Sequence, residues 1–159
     1  MISTSFTLIK VNSMPHEFKH ILVPVDFSKD SDHAVNTALR LFADKAETIT
    51  LLTICEPSSN FTIGKVNNAP EEIQEMIAKN TEKKIEDFIQ KYQKKYKNVK
   101  MVVRNGQAAQ QILLAADDMN VDLIIMGSQG TGSIARVLFG STTYDVARKA
   151  SCSIFIIRS

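Results

Sequence analysis

Short apolar runs at residues 21–25, 49–54, 99–103, 123–126 and 154–157 alternate with stretches of helical periodicity. The runs are rich in Ile, Val and Leu and show no clean polar alternation, the mark of strands covered on both faces. Strict strand–helix alternation fits a parallel sheet with right-handed crossovers and helices on either side. The expected fold is a single five-stranded parallel sheet in the order 3-2-1-4-5, a Rossmann-like α/β arrangement. One domain is expected over residues 19–159, and residues 1–18 stand outside the pattern as an N-terminal extension, with Met14 as an alternative start.

The first helical stretch, 30–43, carries Ala34, Ala38, Leu41 and Phe42 on one face, and Ser28 or Asp30 can cap it. The second is long, 70–96, with a stripe of Ile73, Ile77, Ile85, Phe88, Tyr92 and Tyr96. Asn68 and Glu71 have capping-box spacing before it. Glu71, Glu72 and Glu75 near its start and Lys91, Lys94, Lys95 and Lys97 at its end suit the helix dipole. The third, 107–119, buries Ala109, Ile112, Leu113 and Ala116 and ends at Asn120. The fourth, 141–150, buries Val146, Ala147 and Ala150. Residues 56–69 form a polar loop.

Bulk properties exclude several function classes. The net charge of +2 is too small to point to nucleic acid or a membrane surface. No apolar run approaches membrane-spanning length, and residues 6–11 are too short and interrupted for a signal peptide. A cytoplasmic protein is expected. Cys55 and Cys152 each sit in a strand-like run and read as buried, reduced thiols. His16, His20 and His33 have no partners at ligand spacing, so no metal site is expected.

The chemistry gathers where the fourth run stops. Met126 is followed by Gly127-Ser128-Gln129-Gly130, then nine residues, then Gly140-Ser141-Thr142 at the start of a helix. Glycines let backbone N–H groups approach a ligand, and a helix N-terminus favours anions. This reads as a phosphate loop of its own spacing, since no Gly-Lys-Ser/Thr follows. Ser128, Ser141 and Thr142 offer hydroxyls, with Ser141 also able to serve as a plain N-cap. Arg136 is the basic residue inside the loop. The connection is long for a βα loop, normally about 2–6 residues. The first run ends Pro24-Val25-Asp26-Phe27-Ser28, beside the fourth in the expected order, at the point where strand order reverses. Asp26 can accept from a ribose hydroxyl or an adenine amino group, or organise the turn into the first helix.

Taken together, residues 19–158 resemble the universal stress protein family. The resemblance rests on His20-Ile-Leu-Val-Pro-Val-Asp26-Phe-Ser28, Val103-Arg-Asn-Gly106, Asp122-Leu-Ile-Ile-Met-Gly127, and the G-x2-G-x9-G-S pattern at Gly127, Gly130, Gly140 and Ser141. The complete pattern is similar to the ATP-binding branch. It implies adenine and ribose contacts from Pro24, Val25, Asp26 and Ile54. It implies phosphate contacts from Met126, Gly127, Ser128, Gly130, Gly140, Ser141 and Thr142. ATP, with Mg2+, is the expected ligand. Gln129 stands where His or Arg is frequent, Thr142 replaces a common Val, and Ser153 replaces a Pro before the last strand. The first two bear on affinity and phosphate geometry, the third on strand entry.

The expected function is an ATP-binding stress-response or signalling module rather than an enzyme, with slow ATP hydrolysis at most. A nucleotidyl transferase or ATP pyrophosphatase, the enzyme alternative, would show His-x-Gly-His or Ser-Gly-Gly-x-Asp-Ser, and neither occurs. A flavodoxin-like carrier would place phosphate after the first strand, where Asp26 and Asp30 repel it. A phospho-acceptor domain needs Asp at the end of the third strand, which ends Val103-Arg104. No nucleophile or base has an orienting partner. The last strand, 153–157, is apolar and expected to lie bare at the sheet edge, so a homodimer through this C-terminal edge strand is expected.

Overall fold

The apolar runs pair side by side as the alternation requires. The computed structural model describes residues 5–10 (as backbone), 18–55, 83, 86–88, 90–92, 95–130 and 139–158. Its elements are β1 (Ser5–Lys10), β2 (His20–Pro24), α1 (Lys29–Phe42), β3 (Thr48–Cys55), β4 (Val99–Asn105), α2 (Ala108–Asp118), β5 (Leu123–Gly127), α3 (Ser141–Lys149) and β6 (Ser153–Arg158). β2–β6 are the five expected strands. They run parallel within the order β6-β5-β2-β3-β4, which is 3-2-1-4-5 counted by run.

Each central strand feeds both faces, and this is why the runs lack alternation. Ile21, Val23, Ile49, Leu51, Leu123 and Ile125 pack under α1 and the helical residues Phe88 and Tyr92. Leu22, Leu52, Ile124, Met126, Ile154 and Ile156 pack under α2 and α3. Ile21, Leu22, Leu52, Leu123, Ile124 and Ile125 have no measurable exposure. Burying such a side chain contributes roughly 1.5–3 kcal/mol. β4 differs: Val103 is 47% exposed, as an outer strand permits.

The N-terminal end of the sheet is tied by side chains. Asp122 Oδ2 accepts the backbone N–H groups of Lys19 (2.9 Å) and His20 (2.8 Å). His20 Nδ1–H donates to the Met119 carbonyl at 2.9 Å. Its Nε2 therefore accepts from the Thr50 hydroxyl, 2.8 Å away. This histidine is a joint between β2, β3 and the end of α2.

Of the two cap candidates for α1, Ser28 is the one used: its Oγ accepts the Ser31 N–H at 3.2 Å. Leu41, expected on the buried face, is instead 37% exposed. Ala34 and Ala38 are fully buried with Val35, which places the buried stripe one position away from Leu41. α2 buries Ile112, Ala115 and Ala116, and Asn120 adopts φ 51° just beyond it. Phe88 and Tyr92 are buried as expected, whereas Ile73, Ile77, Ile85, the 68–71 cap and the 56–69 loop lie outside the described residues. Cys55 and Cys152 are free thiols, half-buried rather than buried. No described helix is long and apolar enough to cross a membrane.

The expectation of a bare last strand is corrected. The edge of β6 is not bare, because β1 pairs with it antiparallel, Phe6 opposite Ile157 and Leu8 opposite Phe155. The six-residue β1 sits outside the strand–helix alternation, so periodicity gives no sign of it. An antiparallel edge strand needs no crossover helix to reach its place.

Candidate functional site

β2 and β5 are neighbours, with Leu22 opposite Ile124, so their carboxyl ends open into one place. The β2 end enters through a strained turn: Phe27 holds φ 60°, uncommon for a bulky side chain. Its ring packs edge-on against Phe88 at 5.3 Å. This turn places Asp26, whose Oδ1 accepts the Ser28 N–H at 3.0 Å. Val25 donates its backbone N–H to Leu52 at 2.8 Å, locking the β2 end against β3. Ile54 lies two residues beyond Leu52, the partner of Pro24.

The glycine loop packs onto this turn. A Cβ on Gly130 would lie 2.6 Å from Asp26 Oδ2. A Cβ on Gly127 would lie 2.8 Å from Asp30 Cβ and 2.9 Å from the Asp30 carbonyl carbon. Gly127 is thus required for the close passage of β5 past the start of α1. This packing constraint stands beside the ligand-facing role that the sequence suggests. Gly140 has more room, its nearest atoms at 3.8 Å.

The loop closes on itself. The Gly140 N–H donates to the Ser128 carbonyl at 2.9 Å, and the Ser128 N–H to the Ile157 carbonyl at 2.8 Å. The Thr143 hydroxyl reaches back to the Gly127 carbonyl at 3.0 Å. Gly140, not Ser141, occupies the N-cap of α3, and among the described residues no side chain caps that helix. Among the described residues its first-turn N–H groups have no side-chain cap, at a terminus that favours anions. Ser141 is exposed and Thr142 half-buried beside it.

Ser128 does not present its hydroxyl as expected. The residue is 1% exposed, and its Oγ donates to Asp30 Oδ2 at 2.9 Å. The Gln129 N–H donates to the same oxygen at 3.2 Å. Asp30 thus fixes the first turn of the loop from the start of α1. Met126 is 4% exposed within the core, which leaves its backbone for any ligand contact. Arg136 lies outside the described residues. Two positions escaped the sequence reading, Asp30 as a loop anchor and Thr143. In the sequence Asp30 reads as a cap candidate and as a carboxylate that repels phosphate, and nothing singles out Thr143.

Asp30→Ala is expected to release the loop. It strands the buried Ser128 hydroxyl and the Gln129 N–H, costing about 1–3 kcal/mol. Asp30→Asn keeps one acceptor oxygen and should fall between Ala and the parent. Thermal melts rank the three, and equal Tm values would mean that water replaces the carboxylate.

The arrangement therefore has two chemical ends. A helix N-terminus and glycine backbone suit phosphate, and the Asp26 carboxylate suits hydroxyl or amino donors. Comparison with known proteins agrees with this architecture. Residues 17–158 match the universal stress protein family. A universal stress protein of Methanocaldococcus jannaschii is 25% identical over 154 residues, 89% of this chain and 95% of that protein. The universal stress protein A homolog 2 of Coxiella burnetii is 28% identical over 142 residues, 89% of this chain and 95% of that one. The solved structure of UspA from Lactobacillus plantarum superimposes with a TM-score of 0.74 at 26% identity, covering 91% of this chain and all of that one.

Proposed function

The chain belongs to the universal stress protein family, and from that premise we propose that it is an ATP-binding module that reports nucleotide state in a stress response. The observation that carries this reading is the contact of the glycine loop with Asp26 at the β2–β5 junction. It sets a phosphate-binding backbone beside a carboxylate able to hold ribose or adenine. Pro24, Val25, Asp26 and Ile54 form the adenosine end. Gly127, Gly130, Gly140, Ser141 and Thr142 form the phosphate end, joined by the backbone of Met126 and Ser128. Mg2+ enters with the phosphates whose oxygens it coordinates.

The module holds ATP without fast turnover. Backbone N–H groups and hydroxyls stabilise ground-state phosphates, and the sequence offers no Walker lysine to neutralise developing charge. Binding that is equal in ground and transition states does not speed chemistry. The enzyme alternative predicts the opposite, with Gln129 as the side chain to position water.

A ligand at a hundred times its Kd stabilises by about 2.7 kcal/mol. For a domain of this size, saturating Mg-ATP is expected to raise Tm by roughly 5–10 °C. Phosphate release should stay well below the median enzyme rate of about 10 per second. No shift with ATP, ADP or AMP overturns the nucleotide reading. Rapid turnover lost in Gln129→Ala establishes the enzyme instead.

A further inference from the structure

β6 is the segment of this sheet best suited to pair with another copy of itself, and β1 is what sits there. The stretch Ile154-Phe155-Ile156-Ile157 contains no charge, proline or glycine, and three of its four residues are buried. A symmetric antiparallel register centred between Phe155 and Ile156 would set Arg158 opposite Ser153 and Ile154 opposite Ile157. It brings apolar residues together and no like charges, as a two-fold interface requires. β1 has the opposite character. Its register with β6 shifts between Leu8 and Lys10, and it carries Lys10. A bulge and an edge lysine are both features that blunt a sheet edge against pairing.

The attachment of β1 also permits its departure. It forms the end of the sheet and has β6 as its one neighbour there. Lys10 and His20 are separated by nine residues, which reach roughly 30 Å when extended. The three strand spacings from β1 to β2 amount to about 14 Å. That reach exceeds the spacing, so the chain length allows β1 to leave without pulling on β2.

We infer that residues 5–10 and a second copy of this chain compete for the same edge of β6, so that the N-terminal strand sets the oligomeric state. With β1 in place the chain is a monomer with a blunted edge. With β1 released, two copies pair through β6. This does not rest on the nucleotide reading and is tested without nucleotide.

Sedimentation of full-length variants decides it. Successive strand N–H groups point to opposite edges, so Thr7→Pro with Leu8→Pro removes a ladder donor whichever residue supplies it. Ser5→Cys with Arg158→Cys pins β1 to its partner position when oxidised. The released variant is expected to dimerise at concentrations at least tenfold lower than the parent. Adding Phe155→Lys to it should return it to monomer. The oxidised, pinned variant should remain monomeric at every concentration at which the released one is a dimer. Equal self-association of parent and released variant overturns the inference, as does a dimer that survives Phe155→Lys or forms in the pinned chain. Open-ended aggregation of the released variant in place of a dimer also overturns it. If the proline variant fails to melt cooperatively, the pinned variant against the parent decides: a pinned chain that self-associates as the parent does refutes competition, and weaker self-association supports it.

Discussion

Gly127→Val will destabilise the free protein and abolish the ATP-induced rise in Tm. The cause lies in the meeting of β5 with α1. A Cβ at this position already stands 2.8 Å from Asp30 Cβ and 2.9 Å from the Asp30 carbonyl carbon, and the second of these is backbone. The start of α1 must move, and the Asp30 contacts to Ser128 and Gln129 move with it. Overpacking of this kind costs typically about 1–3 kcal/mol, so Tm should fall by roughly 2–12 °C. Gly127→Ala should carry much of the same penalty, since the first carbon makes the clash. Melts with and without nucleotide check both effects. If Gly127→Ala melted like the parent, the glycine would serve ligand approach rather than packing.

Ile124→Ala, three residues earlier on the same strand, will also lower Tm but will keep the nucleotide response. Ile124 has no measurable exposure and belongs to the core under α2 and α3. Truncation costs about 2–5 kcal/mol, because the lost transfer energy is joined by a cavity. Tm should fall by roughly 4–20 °C. The side chain lies away from the strand's carboxyl end, so saturating ATP should still raise Tm by about as much as in the parent. A lost nucleotide response here would mean that the cavity propagates to the loop.

The parallel sheet with helices on both faces was legible because local alternation and a chirality rule require it, whereas neither of them sets the point at which the strand order reverses. The glycine loop was legible because its spacing is a local pattern at a strand end. What escaped depended on contacts between distant residues. Asp30 meets Ser128 across 98 positions, and no propensity of a helix-start aspartate announces that partner. Ser128 could be seen as a hydroxyl near glycines, but the direction of its donation is set by α1. Leu41 shows the limit of periodicity: the apolar stripe around Ala34 and Ala38 was correct, yet the side chain at its margin faces outward. β1 escaped for a different reason. Six residues outside the alternating pattern carry little signal of their own, and their place is created by the apolar edge that β6 presents.

The pairing of β1 with β6 also has a mechanical consequence. Ser5 is the partner of Arg158, so the outer ends of the first and last strands lie side by side, about 5 Å apart across the ladder. A force applied between these ends acts across the hydrogen bonds rather than along the strands. It loads the Ser5–Arg158 pair first, then Phe6–Ile157, and opens the ladder one step at a time, like a zip. The parallel core bears none of that load until β1 has peeled away. A tether on both ends would therefore detach this strand first, leaving the β2–β5 junction and its glycine loop intact behind it.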